Sequence, residues 1–266
     1  MEEQGQKRIA LLIDAENTQY DKLEAVLQEI SAYGYIITKR AYGDWTANAL
    51  KHWPEVLNRN AIQPIQQFSY TKGKNSSDSA LIIDAMDLLY TKRFDTFVVV
   101  SSDSDFTRLV TRLREDEIFV IGVGKLTTPE SFVKACNDFL YLENLDEGDD
   151  DSVDGQAAAD GQNHAQNTNG KEKSRNEKAE RFNSEKSKII NKLKKAAEKY
   201  GDDEGWTEVS KAGSLIKRQV SSFDTRNYGF STLVKLIEAL NKTFEVSRTP
   251  TGNGKSLMVE YRVMQK

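Results

Sequence analysis

Apolar residues follow two alternating rhythms over residues 8–145. Short runs rich in β-branched side chains have the length and composition of strands: RIALLID (8–14), YIITKRAYG (35–43), AIQPIQQF (61–68), TFVVVSS (96–102), EIFVIGVG (117–124) and FLYLENL (139–145). Between them, YDKLEAVLQEISAYG, TANALKHWPEVLNRN, SDSALIIDAMDLLY, DFTRLVTRLRED and PESFVKAC place apolar residues three and four apart, the period of a helix packed on one side. Strand and helix in alternation predict an α/β layer fold with a mainly parallel sheet flanked by helices. Ligands in such sheets bind beyond the carboxyl ends of the strands.

Both rhythms stop at residue 146. From there to 183 almost no large apolar residue occurs, so the segment buries too little to offset its ordering entropy and reads as a flexible acidic linker. Residues 184–266 read as helix, helix, helix and then two short strands joined by a Gly-rich turn, the pattern of a small winged helix. The expected organisation is therefore a first domain over 7–145, a linker over 146–183 and a second domain over 184–266.

Composition sharpens this division. The hydrophobic share, 38 %, is low for a wholly folded chain of 266 residues, as a polar linker requires. A single cysteine, Cys136, permits no internal disulfide, and no run of about 18 apolar residues suggests a membrane span, so a soluble cytoplasmic protein is expected. Charge is unevenly spread: residues 1–145 carry 16 basic and 21 acidic side chains, 146–170 none and 7, and 171–266 carry 21 and 13. A basic C-terminal part suggests a polyanion-binding module tied to a domain that uses carboxylates for something specific.

Those carboxylates stand at strand ends. Asp14 closes the first strand, Asp103 and Asp105 follow FVVVSS, and Asp78 opens a helix that leads into that same strand. Taken singly, each has an ordinary explanation as a helix cap or turn residue. Together, at neighbouring strand ends about 4.8 Å apart, they would repel one another unless a divalent cation neutralised them. Oxygen ligands with no His or Cys beside them select Mg2+ or Mn2+. Asp84 and Asp87 lie inside a helix and read as structural, His52 as a surface residue and Cys136 as buried packing.

The motifs LLIDAENTQ, KGKNSSDSALIIDAM and VVVSSDSDFTRLV, in this order, resemble the NYN domain, a PIN-like nuclease family with a bacterial LabA-type branch. The resemblance implies that Asp14, Asp78, Asp103 and Asp105 form an acidic metal site, and that Asn17 hydrogen-bonds a metal-bound water or a phosphate oxygen. It assigns Glu16 no role. Lys72, Lys74, Arg40 and Lys125 lie on segments leading to or from that edge and are candidates for holding RNA phosphates. The C-terminal sequence GWTEVSKAGSLIKRQVSSFDTRNYGFSTLVKLIEALNKTFEV resembles the OST-HTH or LOTUS domain, which implies RNA binding, G-rich RNA in particular, or in some members a protein partner. There Trp206, Phe223, Tyr228 and Phe230 read as core, while Lys211, Lys217, Arg218, Arg226 and Lys235 are the candidates for backbone contacts. The expected function is a metal-dependent ribonuclease with an RNA-binding module. Two rivals stand beside it: an RNA-binding adaptor whose acids hold metal without turnover, and a HAD-type phosphatase, whose D-x-D-x-T motif DAENT echoes only faintly.

Overall fold

Along β1 (Arg8–Asp14) successive side chains enter opposite layers. Ala10 and Leu12 join one apolar cluster, while Ile9, Leu11 and Ile13 join another. In β4 (Thr96–Val100) Phe97 and Val99 side with the first cluster and Val98 and Val100 with the second, so the sheet is covered on both faces. The computed structural model describes residues 6–68, 76–145, 168–250 and 257–264, and the chain divides into two compact units, Met1–Glu147 and Gly148–Lys266.

In the first unit β2 (Tyr35–Gly43), β3 (Gln63–Gln66), β5 (Phe119–Gly124) and β6 (Asp138–Tyr141) complete a six-stranded sheet in the order β3-β2-β1-β4-β5-β6. Every pairing is parallel. Helices α1 (Leu23–Ser31) and α2 (Trp53–Arg59) cover one face through Leu23, Val26, Ile30, Trp53, Val56 and Leu57. Helices α3 (Ser76–Tyr90), α4 (Thr107–Glu115) and α5 (Glu130–Ala135) cover the other through Leu81, Ala85, Leu109, Leu113 and Phe132. All six expected strands are present. The third is shorter than its apolar run because Ala61 turns with a φ of 50° and Pro64, which has no N–H to donate, sits on the sheet's edge.

The second unit runs α6 (Thr168–Tyr200), β7 (Thr207–Glu208), α7 (Val209–Gln219), a 3-10 turn (Thr225–Tyr228), α8 (Leu233–Glu238), β8 (Phe244–Pro250) and β9 (Leu257–Val263). Its antiparallel sheet has the order β7-β9-β8. Tyr261 of β9 is fully buried, and its hydroxyl donates to the Leu193 carbonyl at 2.7 Å, fastening the hairpin to α6. Helices followed by a hairpin are the winged-helix layout expected from the sequence.

The linker reading needs correction over 168–183, which is helical. The Phe182 ring meets Phe230 with centroids 5.0 Å apart, Lys178 is buried, and the Arg181 guanidinium lies over the Tyr228 ring at 5.9 Å. One aromatic and the stem of a lysine supply this packing, too little to show in composition. Residues 146–167 lie outside the described residues.

Candidate active site

Strands β1 and β4 are neighbours at the centre of the sheet, where the chain's winding reverses: β2 and β3 lie to one side, β5 and β6 to the other. The carboxyl ends of two strands at such a reversal open a crevice. Asp14, the last residue of β1, lies in it 1 % exposed. Its carboxylate accepts from Ser101 Oγ at 2.7 Å and Asn17 Nδ2 at 2.9 Å, and from the backbone N–H groups of Glu16 and Asn17 at 3.2 Å each. Burial pushes the Asp14 carboxyl above its ordinary pKa, while these hydrogen bonds oppose the shift. Asn17 therefore orients Asp14 through a direct bond.

Ser101 was not singled out by the sequence reading, although it is the first residue after β4. Besides donating to Asp14, its hydroxyl accepts from the Asp103 N–H at 3.0 Å, so one side chain ties the two strand ends together. Asp103 in turn accepts from the Asp105 N–H at 2.9 Å and caps the 3-10 turn Ser104–Phe106 that feeds α4. Capping explains Asp103's backbone geometry without removing its carboxylate from the crevice.

Asp78 enters from the first turn of α3, 7 % exposed. Its pKa is pushed up to about 6, first by burial and then by the charges of Asp14, Asp103, Glu16 and Asp105. The other three acids named from sequence thus all act on Asp78, with Glu16 as a fourth. Glu16 Oε2 accepts from Ser77 Oγ at 3.1 Å and Oε1 from the Asp44 N–H at 3.2 Å, so it clamps the start of α3 to the loop after β2. Among the described residues no group of three or more His, Cys, Asp or Glu side chains is placed to hold a metal ion. The donors are nonetheless all carboxylate oxygens. That chemistry fits a hard divalent cation held by one or two carboxylates and otherwise by its own waters.

The basic candidates divide. Lys125 directly follows β5, and its N–H donates to Ser102 Oγ at 2.9 Å, which places its backbone at the crevice edge. Arg40 does not reach that edge: it pairs with Leu12 and Gln63 in mid-sheet, and its guanidinium meets Asp84 at 2.8 Å. Asp84, which also accepts from the Tyr42 hydroxyl at 2.6 Å, is structural as expected. Lys72 and Lys74 lie outside the described residues. In the second unit Lys211 is paired with Glu208 at 2.7 Å and Arg226 with Asp224 at 2.8 Å; Lys217 and Arg218 lie on the surface in the last turn of α7, and Lys235 on the surface of α8. Lys188, Lys192, Lys195 and Lys199, spaced four, three and four apart, form a basic row along α6 that the sequence reading missed. Phe223 and Tyr228 are core, Phe230 packs on Phe182, and half-buried Trp206 lies under the Arg262 guanidinium at 4.5 Å. Cys136 is buried, its thiol pushed up to about 12 by that burial. His52 stacks near Tyr20. No helix among the described residues is long and apolar enough to cross a membrane.

No curated protein matches the chain. Among solved structures it is similar to a protein of unknown function from Vibrio parahaemolyticus, at 17 % identity over 55 % of this chain and 98 % of that one, with a TM-score of 0.47. It is also similar to an uncharacterized protein from Nitrosomonas europaea, at 17 % identity over 45 % of this chain and 91 % of that one, with a TM-score of 0.25. The family model of the NYN domain matches residues 8–143, and that of the OST-HTH/LOTUS domain matches residues 180–256. The NYN domain is a nuclease-type fold whose relatives generally use divalent metals, and the OST-HTH/LOTUS domain suggests RNA binding. With its acids gathered at the β1–β4 crevice of the first unit and a winged-helix layout in the second, the chain belongs to the NYN domain family and carries an OST-HTH/LOTUS domain in its C-terminal part.

Proposed function

We propose that the chain is a ribonuclease that hydrolyses RNA phosphodiesters with Mg2+ or Mn2+ at the Asp14 crevice and holds its substrate partly through the C-terminal domain. The observation that carries this reading is the pressure of four carboxylates on Asp78 beside an almost fully buried Asp14. Such repulsion has a physical rationale when a cation relieves it. Asp14 and Asp103 would hold the cation directly, with Asp78 and Asp105 reaching it directly or through water. A divalent ion bound there supplies an activated water and neutralises charge on the leaving oxygen. Asn17 and Ser101 keep the Asp14 carboxylate fixed, and Glu16 fixes the start of α3. Preorganisation of this kind costs nothing at the moment of reaction. The basic C-terminal part offsets the acidity of the first domain by keeping RNA at high local concentration.

The test is cleavage of labelled RNA by the full chain with Mg2+ or Mn2+, against Asp14→Asn and Asp103→Asn. Metal-dependent cleavage that falls at least about a hundredfold in both variants, with their melting curves preserved, supports the reading. RNA and metal binding with no turnover in the native chain would replace it with the adaptor.

A further inference from the structure

Beside the acids, α3 and α4 leave a cleft of about 230 Å³ between them. Ile82 and Met86 line it from α3, and Asp105, Arg108, Leu109, Arg112 and Glu115 from the α4 side. Asp105 lines this cleft, and its N–H donates to the Asp103 carboxylate at 2.9 Å, so the cleft borders the candidate active site. Its volume is below the roughly 300–1,000 Å³ of pockets for drug-sized ligands. It suits one planar base.

The lining is graded along its length. Ile82, Met86 and Leu109 make an apolar surface, and a thioether such as that of Met86 packs well against an aromatic ring. At the far end Arg112 is already engaged by hydrogen bonds with Tyr90 and Asp116. Arg108 is exposed and engages no partner among the described residues. It stands three residues beyond Asp105, a little under one helical turn of about 5.4 Å. Its guanidinium can bind a phosphate bidentately or lie against a base. An acidic centre that collects cations, followed within one turn by an unclaimed guanidinium over apolar side chains, matches a nucleotide whose phosphate and base need different environments.

We propose that the α3–α4 cleft is a subsite for one unpaired RNA nucleotide next to the phosphate held at the Asp14 crevice, its base resting on Ile82, Met86 and Leu109 and its phosphate meeting Arg108. The adjacency to a reacting phosphate rests on the ribonuclease reading; the occupancy of the cleft by RNA does not. Because the site takes a splayed base, single-stranded RNA enters it and duplex RNA does not.

The experiment uses the full-length chain carrying Asp14→Asn, so that RNA is not consumed, and a single-stranded oligoribonucleotide bearing 4-thiouridine. After ultraviolet irradiation, crosslinked peptides are mapped by mass spectrometry. Crosslinks are expected in 82–90 and 105–116 as well as in the C-terminal unit. Adding Met86→Ala and Arg108→Gln should reduce the first set about tenfold, the loss expected for one charge-assisted contact, and leave the second set unchanged. Crosslinks confined to other segments, or cleft crosslinks unaffected by the two substitutions, overturn the proposal. Cleavage by the chain with Asp14 intact is measured separately. Cleft crosslinking with no cleavage removes the ribonuclease reading and keeps the subsite, whereas Asp14-dependent cleavage without cleft crosslinking does the reverse.

Discussion

Asp78 carries the electrostatic cost of the crevice. Its carboxyl titrates near 6 in the folded chain against an ordinary value of 3.8, so folding takes up a proton between those values. The stability this group contributes is full below its ordinary pKa and is lost as the pH rises through 6. Asp78→Asn removes the penalty. Without metal the variant should be more stable than the native chain near pH 8, by on the order of 1–2 kcal/mol after solvent screening, and the two should converge near pH 4. Added Mg2+ or Mn2+ should narrow or reverse the order by stabilising the native chain more than the variant, which keeps Asp14 and Asp103 but lacks the Asp78 charge. Thermal melts at the two pH values, with and without metal, check the sign. The acids themselves were legible in the sequence because strand ends and helix starts are local features. The role of Glu16 was not, since its partners Asp44 and Ser77 lie 28 and 61 residues away.

Elements were legible to the extent that their periodicity was strong. Fully buried β4 and the apolar run of β1 mark strands covered on both faces, because alternate side chains enter one apolar layer and then the other with no solvent face between them. The N-terminal half of α6 lacks such a stripe and is recognisable only through the contacts of Phe182 with Phe230 and of Arg181 with Tyr228. Those contacts have a measurable worth. A C-terminal fragment beginning at residue 184 loses the Phe182–Phe230 contact and should be less stable than one beginning at 168, by about 1–3 kcal/mol. Equal denaturant midpoints for the two fragments would show that the first turns of α6 add nothing to the module.

The molecule as a whole separates its charges by domain, and RNA affinity should follow that separation. In a salt series the fragment 168–266 should bind single-stranded RNA more tightly than 1–145, with a slope of roughly −2 to −4 if it neutralises about 3–5 phosphates. Tighter binding by 1–145 would mean that the basic surface, the α6 lysine row included, is only solvated. The sheet order imposes a further condition, on synthesis. Asp14 acquires its Ser101 partner 87 residues later in the chain, because β1 pairs with β4 across the whole βα excursion that builds β2 and β3. At about 5–20 residues per second a ribosome needs several seconds to cover that interval. Throughout it the nascent chain holds Asp14 but neither Asp103 nor Asp105, and β1 has no neighbour on its β4 side. A truncated product ending before β4 consequently cannot assemble the crevice, so the central parallel pairing keeps the complete acid cluster out of unfinished chains.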